Sequence, residues 1–88
     1  MQKQTFQIIN RLGLHARAAA QLVKTASRFS CEVTLKKEDI EVNGKSIMGI
    51  LLLAAPQGTA IEVTTAGVDE EQAMQVLAEL IEDGFGED

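Results

Sequence analysis

Apolar residues in this chain recur at every second position, then at helical spacing, and the period switches repeatedly within 88 residues. That restricts the fold to short strands and helices sharing one core. Thr5-Phe6-Gln7-Ile8 alternates polar with apolar, as a half-buried strand does. Ala16–Phe29 then sets Ala19, Leu22, Val23, Ala26 and Phe29 on one helical stripe. Glu32–Lys36 and Ile40–Asn43 alternate again around a charged turn at Lys37–Asp39, which predicts a hairpin. Ser46–Ala55 is nearly unbroken in its apolar character and suits a buried strand or a short helix; a helix with Ser46 as its N-cap is preferred here. Pro56-Gln57-Gly58 breaks the chain and Ala60–Thr64 alternates as a fourth strand. Asp69 with Gln72 resembles a capping box, and Ala73, Val76, Leu77, Leu80 and Ile81 form a last stripe ended by Gly84. The order βαββαβα follows, and its simplest packing puts all helices on one side of a single sheet.

A chain of this length supports one core, so residues 1–88 are expected to form a single domain. Three Phe are the only aromatics, which leaves the core to Leu, Ile, Val and Ala. One cysteine, Cys31, allows no internal disulfide and no metal-binding pair, and is expected to behave as a small buried hydrophobe. No apolar run is long enough to cross a bilayer and MQKQTFQIIN lacks the core of a secretory signal, so a cytoplasmic protein without membrane insertion is expected. The net charge of −5 is unevenly spread: residues 1–30 carry five bases and no acid, residues 46–88 nine acids and no base. Such a chain is a poor nucleic-acid binder, but its basic third can attract a local anion.

His15 lies where Asn10-Arg11-Leu12-Gly13-Leu14-His15-Ala16-Arg17 runs into the first helix. The first N–H groups of a helix lack internal partners and, with the helix dipole, favour an anion. The same field disfavours a positive imidazolium and leaves a ring nitrogen able to attack. Phosphoryl transfer needs little beyond positioning and stabilisation of the equatorial oxygens, which a small domain can supply. A cation in the first turn, Arg17, is unfavourable unless an anion sits nearby, and its planar fork matches phosphate. A capping or surface histidine beside a solvated arginine is the plainer alternative, which these residues alone leave open.

Gly13-Leu14-His15-Ala16-Arg17-Ala18-Ala19 together with Lys45-Ser46-Ile47-Met48-Gly49 resembles the HPr family, the histidine-containing phosphocarriers of the bacterial phosphoenolpyruvate:sugar phosphotransferase system. The likeness spans essentially the whole chain. It implies an α+β fold, an open-faced β-sandwich with an antiparallel sheet of order 1-4-2-3 covered on one face by three helices. It also implies that His15 accepts a phosphoryl group on Nδ1 from enzyme I, charged by phosphoenolpyruvate, and delivers it to IIA domains. Arg17 would be its electrostatic partner, and the N–H groups of Ala16 and Arg17 phosphate donors. No cofactor or metal is implied, and the chain would be a shuttled protein substrate rather than an enzyme. Ala18 departs from the proline most relatives carry there; alanine keeps the helix but loses preorganisation.

Ser46 matches the serine that a dedicated kinase phosphorylates in some relatives, which adds an HPr kinase/phosphorylase to the candidate partners. A phosphate there would suit a helix N-terminus while placing negative charge on a partner-facing surface. Ile47, Met48 and Leu51 are candidates for an exposed docking patch, with core packing as the rival reading. The string around His15 looks closer to nitrogen-branch carriers, and that around Ser46 closer to kinase-regulated sugar-branch carriers. A monomer is expected, since a carrier docks on several partners in turn. An α/β regulatory module that binds a ligand or protein without carrying phosphate is the competing class, and it would tolerate His15→Ala.

Overall fold

The computed structural model describes residues 1–87. Four strands, β1 (Gln2–Gln7), β2 (Glu32–Lys37), β3 (Ile40–Asn43) and β4 (Ala60–Ala66), form one antiparallel sheet of order β1-β4-β2-β3. Three helices, α1 (Ala16–Ala26), α2 (Ile47–Leu53) and α3 (Glu70–Glu82), complete the α+β arrangement. Buried strand residues alternate with exposed or half-buried ones: Val33 and Leu35 on β2, Ile61, Val63 and Thr65 on β4, Phe6 on β1. One face of the sheet therefore carries the core, and the helices lie over it. α3 covers β1 and β4, α2 lies against β3, and α1 packs between α2 and α3. Leu22, Ile50, Leu53, Ile61 and Val63 have no exposed surface. Each such side chain contributes about 1.5–3 kcal/mol through its burial.

Local chemistry sets the element ends, and several differ from the sequence-based expectation. The first strand begins at Gln2, earlier than Thr5, because pairing with Thr65 extends it although only Phe6 among its residues is buried. Ile8 lies just beyond its end and is wholly buried, in the phase the alternation predicts. α1 ends at Ala26 and stops short of Phe29: Arg28 and Phe29 make tighter i to i−3 bonds to Thr25 and Ala26, a turn that brings the Phe29 ring into the core. α2 starts as expected, with the Ser46 hydroxyl accepting the Gly49 N–H at 3.1 Å. It ends at Leu53 because Ala54 takes left-handed angles. The segment was ambiguous as a run, but only Ile50 and Leu53 of this helix are buried, so it is a one-faced helix and not a strand.

The capping box expected at Asp69 and Gln72 does not form. Asp69 precedes α3 but its side chain makes no cap bond to that helix. Its two oxygens instead accept the N–H groups of Ser30 and Cys31 at 2.8 and 2.9 Å, and Glu70 accepts the Gly67 N–H at 3.0 Å. On α3 the buried residues are Ala73, Met74, Leu77 and Ile81, with Val76 and Leu80 partly buried at the margin. Cys31 is buried, as expected, and burial together with the neighbouring Asp69 raises its thiol above the ordinary range.

Candidate functional site

Three segments distant in sequence build the region around His15. The loop before α1 is pinned by backbone bonds: Leu14 N–H donates to Ala55 O at 2.9 Å and Gly13 N–H to Asn10 O at 3.1 Å. Leu14 is buried and anchors it. Gly13 takes φ +66, and a Cβ there would lie 2.5 Å from Ala55 O, so no larger residue fits between this loop and the chain that follows α2. His15 leaves the loop with extended angles and stands at the N-cap of α1, where its side chain makes no capping bond. Its carbonyl accepts the first helical N–H, that of Ala19, at 2.8 Å.

Consequently the N–H groups of Ala16, Arg17 and Ala18 are not used in backbone bonds among the described residues. They leave the start of α1 with unpartnered backbone donors, as the first turn of a helix does. Arg17 and Ala16 are exposed, Ala18 wholly buried. An open recess of about 640 Å³ is lined by Arg11, Leu12, His15, Ala16, Arg17, Gly86 and Glu87. The structure thus brings His15, Ala16 and Arg17 to one place, with two bases and no acid from the N-terminal third.

Glu87 is the member that sequence reasoning missed. Its Oε2 lies 2.6 Å from His15 Nε2, across 72 residues of chain. Its Oε1 accepts from Asn10 Nδ2 at 2.9 Å, and the same amide nitrogen donates to Gly13 O at 2.7 Å. The Asn10 hydrogen bond, then His15 and the Arg17 charge, hold the Glu87 carboxyl below the usual carboxylate range. A carboxylate therefore faces one edge of the imidazole, in addition to the helix field. Asn10 is itself almost fully buried, an unusual position for an amide that only a structural demand explains.

Ser46, Ile47, Met48 and Leu51 lie on the neighbouring element. Ile47, Met48 and Leu51 are 42%, 71% and 37% exposed, which rules out simple core packing for these three. Leu52 and Leu12, not singled out from the sequence, are also exposed apolar residues. α2 contacts α1, and Ala55 just beyond it holds the His15 loop, so the apolar helix and the recess belong to adjoining surface.

Residues 2–83 match the family described as PTS HPr component phosphorylation site. The chain belongs to the HPr family. It is 55% identical over 87 residues to Phosphocarrier protein HPr of Neisseria meningitidis serogroup A, covering 99% of this chain and 98% of that relative. It superposes with a TM-score of 0.97 on the crystal structure of HPr-C-His from Thermoanaerobacter tengcongensis, at 46% identity, covering 100% of this chain and 99% of that one. A structure described as an HPr dimer from the same organism matches with a TM-score of 0.80 at 47% identity, covering 99% and 100%. As an HPr, the chain is a phosphocarrier of the bacterial phosphotransferase system. The open-faced sheet of order 1-4-2-3 is the arrangement that the resemblance implied. Among the described residues no helix is long and apolar enough to cross a membrane.

Proposed function

We propose that residues 1–88 act as one cytoplasmic phosphocarrier domain in which His15 accepts a phosphoryl group from phosphoenolpyruvate-charged enzyme I and passes it to IIA domains. The observation that carries this reading is the position of His15: partly exposed, at the start of α1, next to three unspent N–H groups and Arg17. Attack by a ring nitrogen places a phosphoryl group at the mouth of the recess. The N–H groups of Ala16 and Arg17 then face its oxygens, and the Arg17 guanidinium offsets its charge. The transition state is stabilised by groups already in place, with no metal and no cofactor taking part. The carrier is thereby a substrate of the enzymes on either side of it, not itself an enzyme.

Ile47, Met48 and Leu51 supply the docking contact, and their exposure beside the recess supports that role. Ser46 serves as a regulatory site for an HPr kinase/phosphorylase: its hydroxyl caps α2, where a phosphate meets the same type of donors while repelling acidic partners. A monomer suits both tasks, and size-exclusion with light scattering separates it from the dimer seen in one relative.

The test is intact mass after incubation with enzyme I and phosphoenolpyruvate. One acid-labile phosphoryl group on the wild type and none on His15→Ala is the expected result. An unmodified wild type beside an active cognate enzyme I would overturn the reading in favour of a regulatory binding module.

A further inference from the structure

We propose that Glu87, oriented by Asn10, is a positioning residue that fixes which nitrogen of His15 is free to accept phosphoryl; this rests on the carrier reading above. A neutral imidazole carries its proton on one nitrogen and its reactive lone pair on the other. Glu87 Oε2, ionised, can only accept, so at 2.6 Å it holds the proton on Nε2. Nδ1 makes no hydrogen bond among the described residues and is left as the attacking atom.

The polarity of this arrangement is set further back. Gly13 O is a backbone acceptor and cannot change role, so it draws the Asn10 NH2 toward itself at 2.7 Å. The second hydrogen of that NH2 points at Glu87 Oε1, 2.9 Å away. Asn10 Oδ1, buried and without a partner among the described residues, shows what the arrangement sacrifices. Turning the amide over would satisfy neither contact, since an oxygen would then face both Gly13 O and Glu87. The order Gly13 carbonyl, Asn10 amide, Glu87 carboxylate, His15 ring therefore runs in one sense only.

During transfer the Nδ1 lone pair forms the bond to phosphorus while the bond from phosphorus to the donor's leaving atom breaks, its electron pair remaining with the donor. The Nε2 proton stays in place. The ring takes on positive charge as it attacks, and the Glu87 carboxylate faces that charge. The carboxylate of a catalytic triad supports its histidine in the same way.

A substitution that inverts the sense of the last link tests this. In Glu87→Gln the side-chain oxygen is claimed by the Asn10 NH2, so the new NH2 faces His15 and favours the lone pair on Nε2. The experiment records 15N ring resonances of His15 in its neutral form, in the full-length unphosphorylated protein, alongside the rate of phosphoryl acceptance from charged enzyme I. Wild type is expected as the Nε2–H tautomer and Glu87→Gln as mainly Nδ1–H. Acceptance should slow about tenfold, the equivalent of one ordinary hydrogen bond, and more than in Glu87→Ala, which imposes no tautomer. A residue that merely anchored the chain end would give the opposite ranking, with glutamine milder than alanine. A wild type that accepts phosphoryl while Glu87→Gln keeps the Nε2–H tautomer and the wild-type rate overturns the positioning role alone. A wild type that shows the Nε2–H ring but accepts no phosphoryl overturns the carrier reading beneath it.

Discussion

The carboxylate of Asp69 accepts two backbone N–H groups, from Ser30 and Cys31, and so ties the turn after α1 to the start of α3. Those bonds, that from Ser30 foremost, hold its carboxyl below the ordinary range. Glu70 is lowered chiefly by the N-terminal ammonium and then by the Gly67 N–H, and Glu87 chiefly by Asn10. A carboxyl whose folded value is depressed stabilises fully above its unfolded pKa of about 4, and that contribution disappears as pH falls through the folded value. Stability should therefore be flat from neutral pH to about 5 and decline below about 4. Asp69→Asn should lower Tm by a few degrees at pH 7 and flatten the acid limb, as read from thermal unfolding at a series of pH values. An unaltered limb would remove Asp69 from the acid response. At this scale His15 and Arg17 were legible because they are neighbours in sequence at a recognisable helix start. Glu87 and Asn10 were not, since only the folded chain brings a carboxylate across 72 residues to the ring. The acid-rich C-terminal segment showed that such a charge was available, but not where it would land.

Helix and loop ends are decided by single residues whose chemistry the sequence displays only in part. Ser46 was readable as the cap of α2, and its hydroxyl does accept the Gly49 N–H. Ser46→Ala should destabilise by about 1 kcal/mol, whereas Ser46→Asp keeps an acceptor at the cap and should leave Tm nearly unchanged. If the regulatory reading holds, Ser46→Asp alone weakens docking, so calorimetric titration against a IIA domain separates capping from charge. Gly13→Ala is a harsher change, combining φ +66 with a Cβ 2.5 Å from Ala55 O. It should cost about 2 kcal/mol or more and displace the His15 loop, slowing phosphoryl acceptance even in protein that remains folded. Strand positions and α3 were legible from period alone. The misjudged points were competitions between local bonds: Asp69 serves a distant turn instead of its own helix, and Phe29 leaves the helical stripe to enter the core from a turn. Ile47, Met48 and Leu51 are exposed on α2 as the sequence suggested, whereas the exposure of Leu52 depended on the helix's rotation against α1 and β3.

The molecule as a whole closes its site by folding residues 84–87 back against the loop before α1, and that couples stability to chemistry. After α3 the chain turns through Gly84–Gly86, and Phe85 inserts its ring into the core, 2% exposed. The Phe85 carbonyl accepts from Gln21 Nε2 of α1 at 3.1 Å. Phe85 is therefore the anchor that delivers Glu87, two residues later, to His15. Sequence period could not show this, because an isolated Phe after a helix-ending glycine has no pattern to belong to. Phe85→Ala removes a buried ring worth about 3–4 kcal/mol, a large share of the roughly 5–10 kcal/mol that a domain of this size possesses. The last segment should open before the rest, since its backbone is held by few bonds and its burial rests on one side chain. At temperatures well below Tm, Phe85→Ala should thus show rapid amide exchange confined to residues 83–87, where the Asp83, Gly86 and Glu87 N–H groups are otherwise bonded. It should also lose the Glu87 contact at His15 while the sheet stays protected. Phe85→Leu, which refills most of the volume, should restore both together. Exchange that rises evenly over β4 and β2 in Phe85→Ala would mean that the ring supports the whole core equally, and that the chain end is not a separable part of the site.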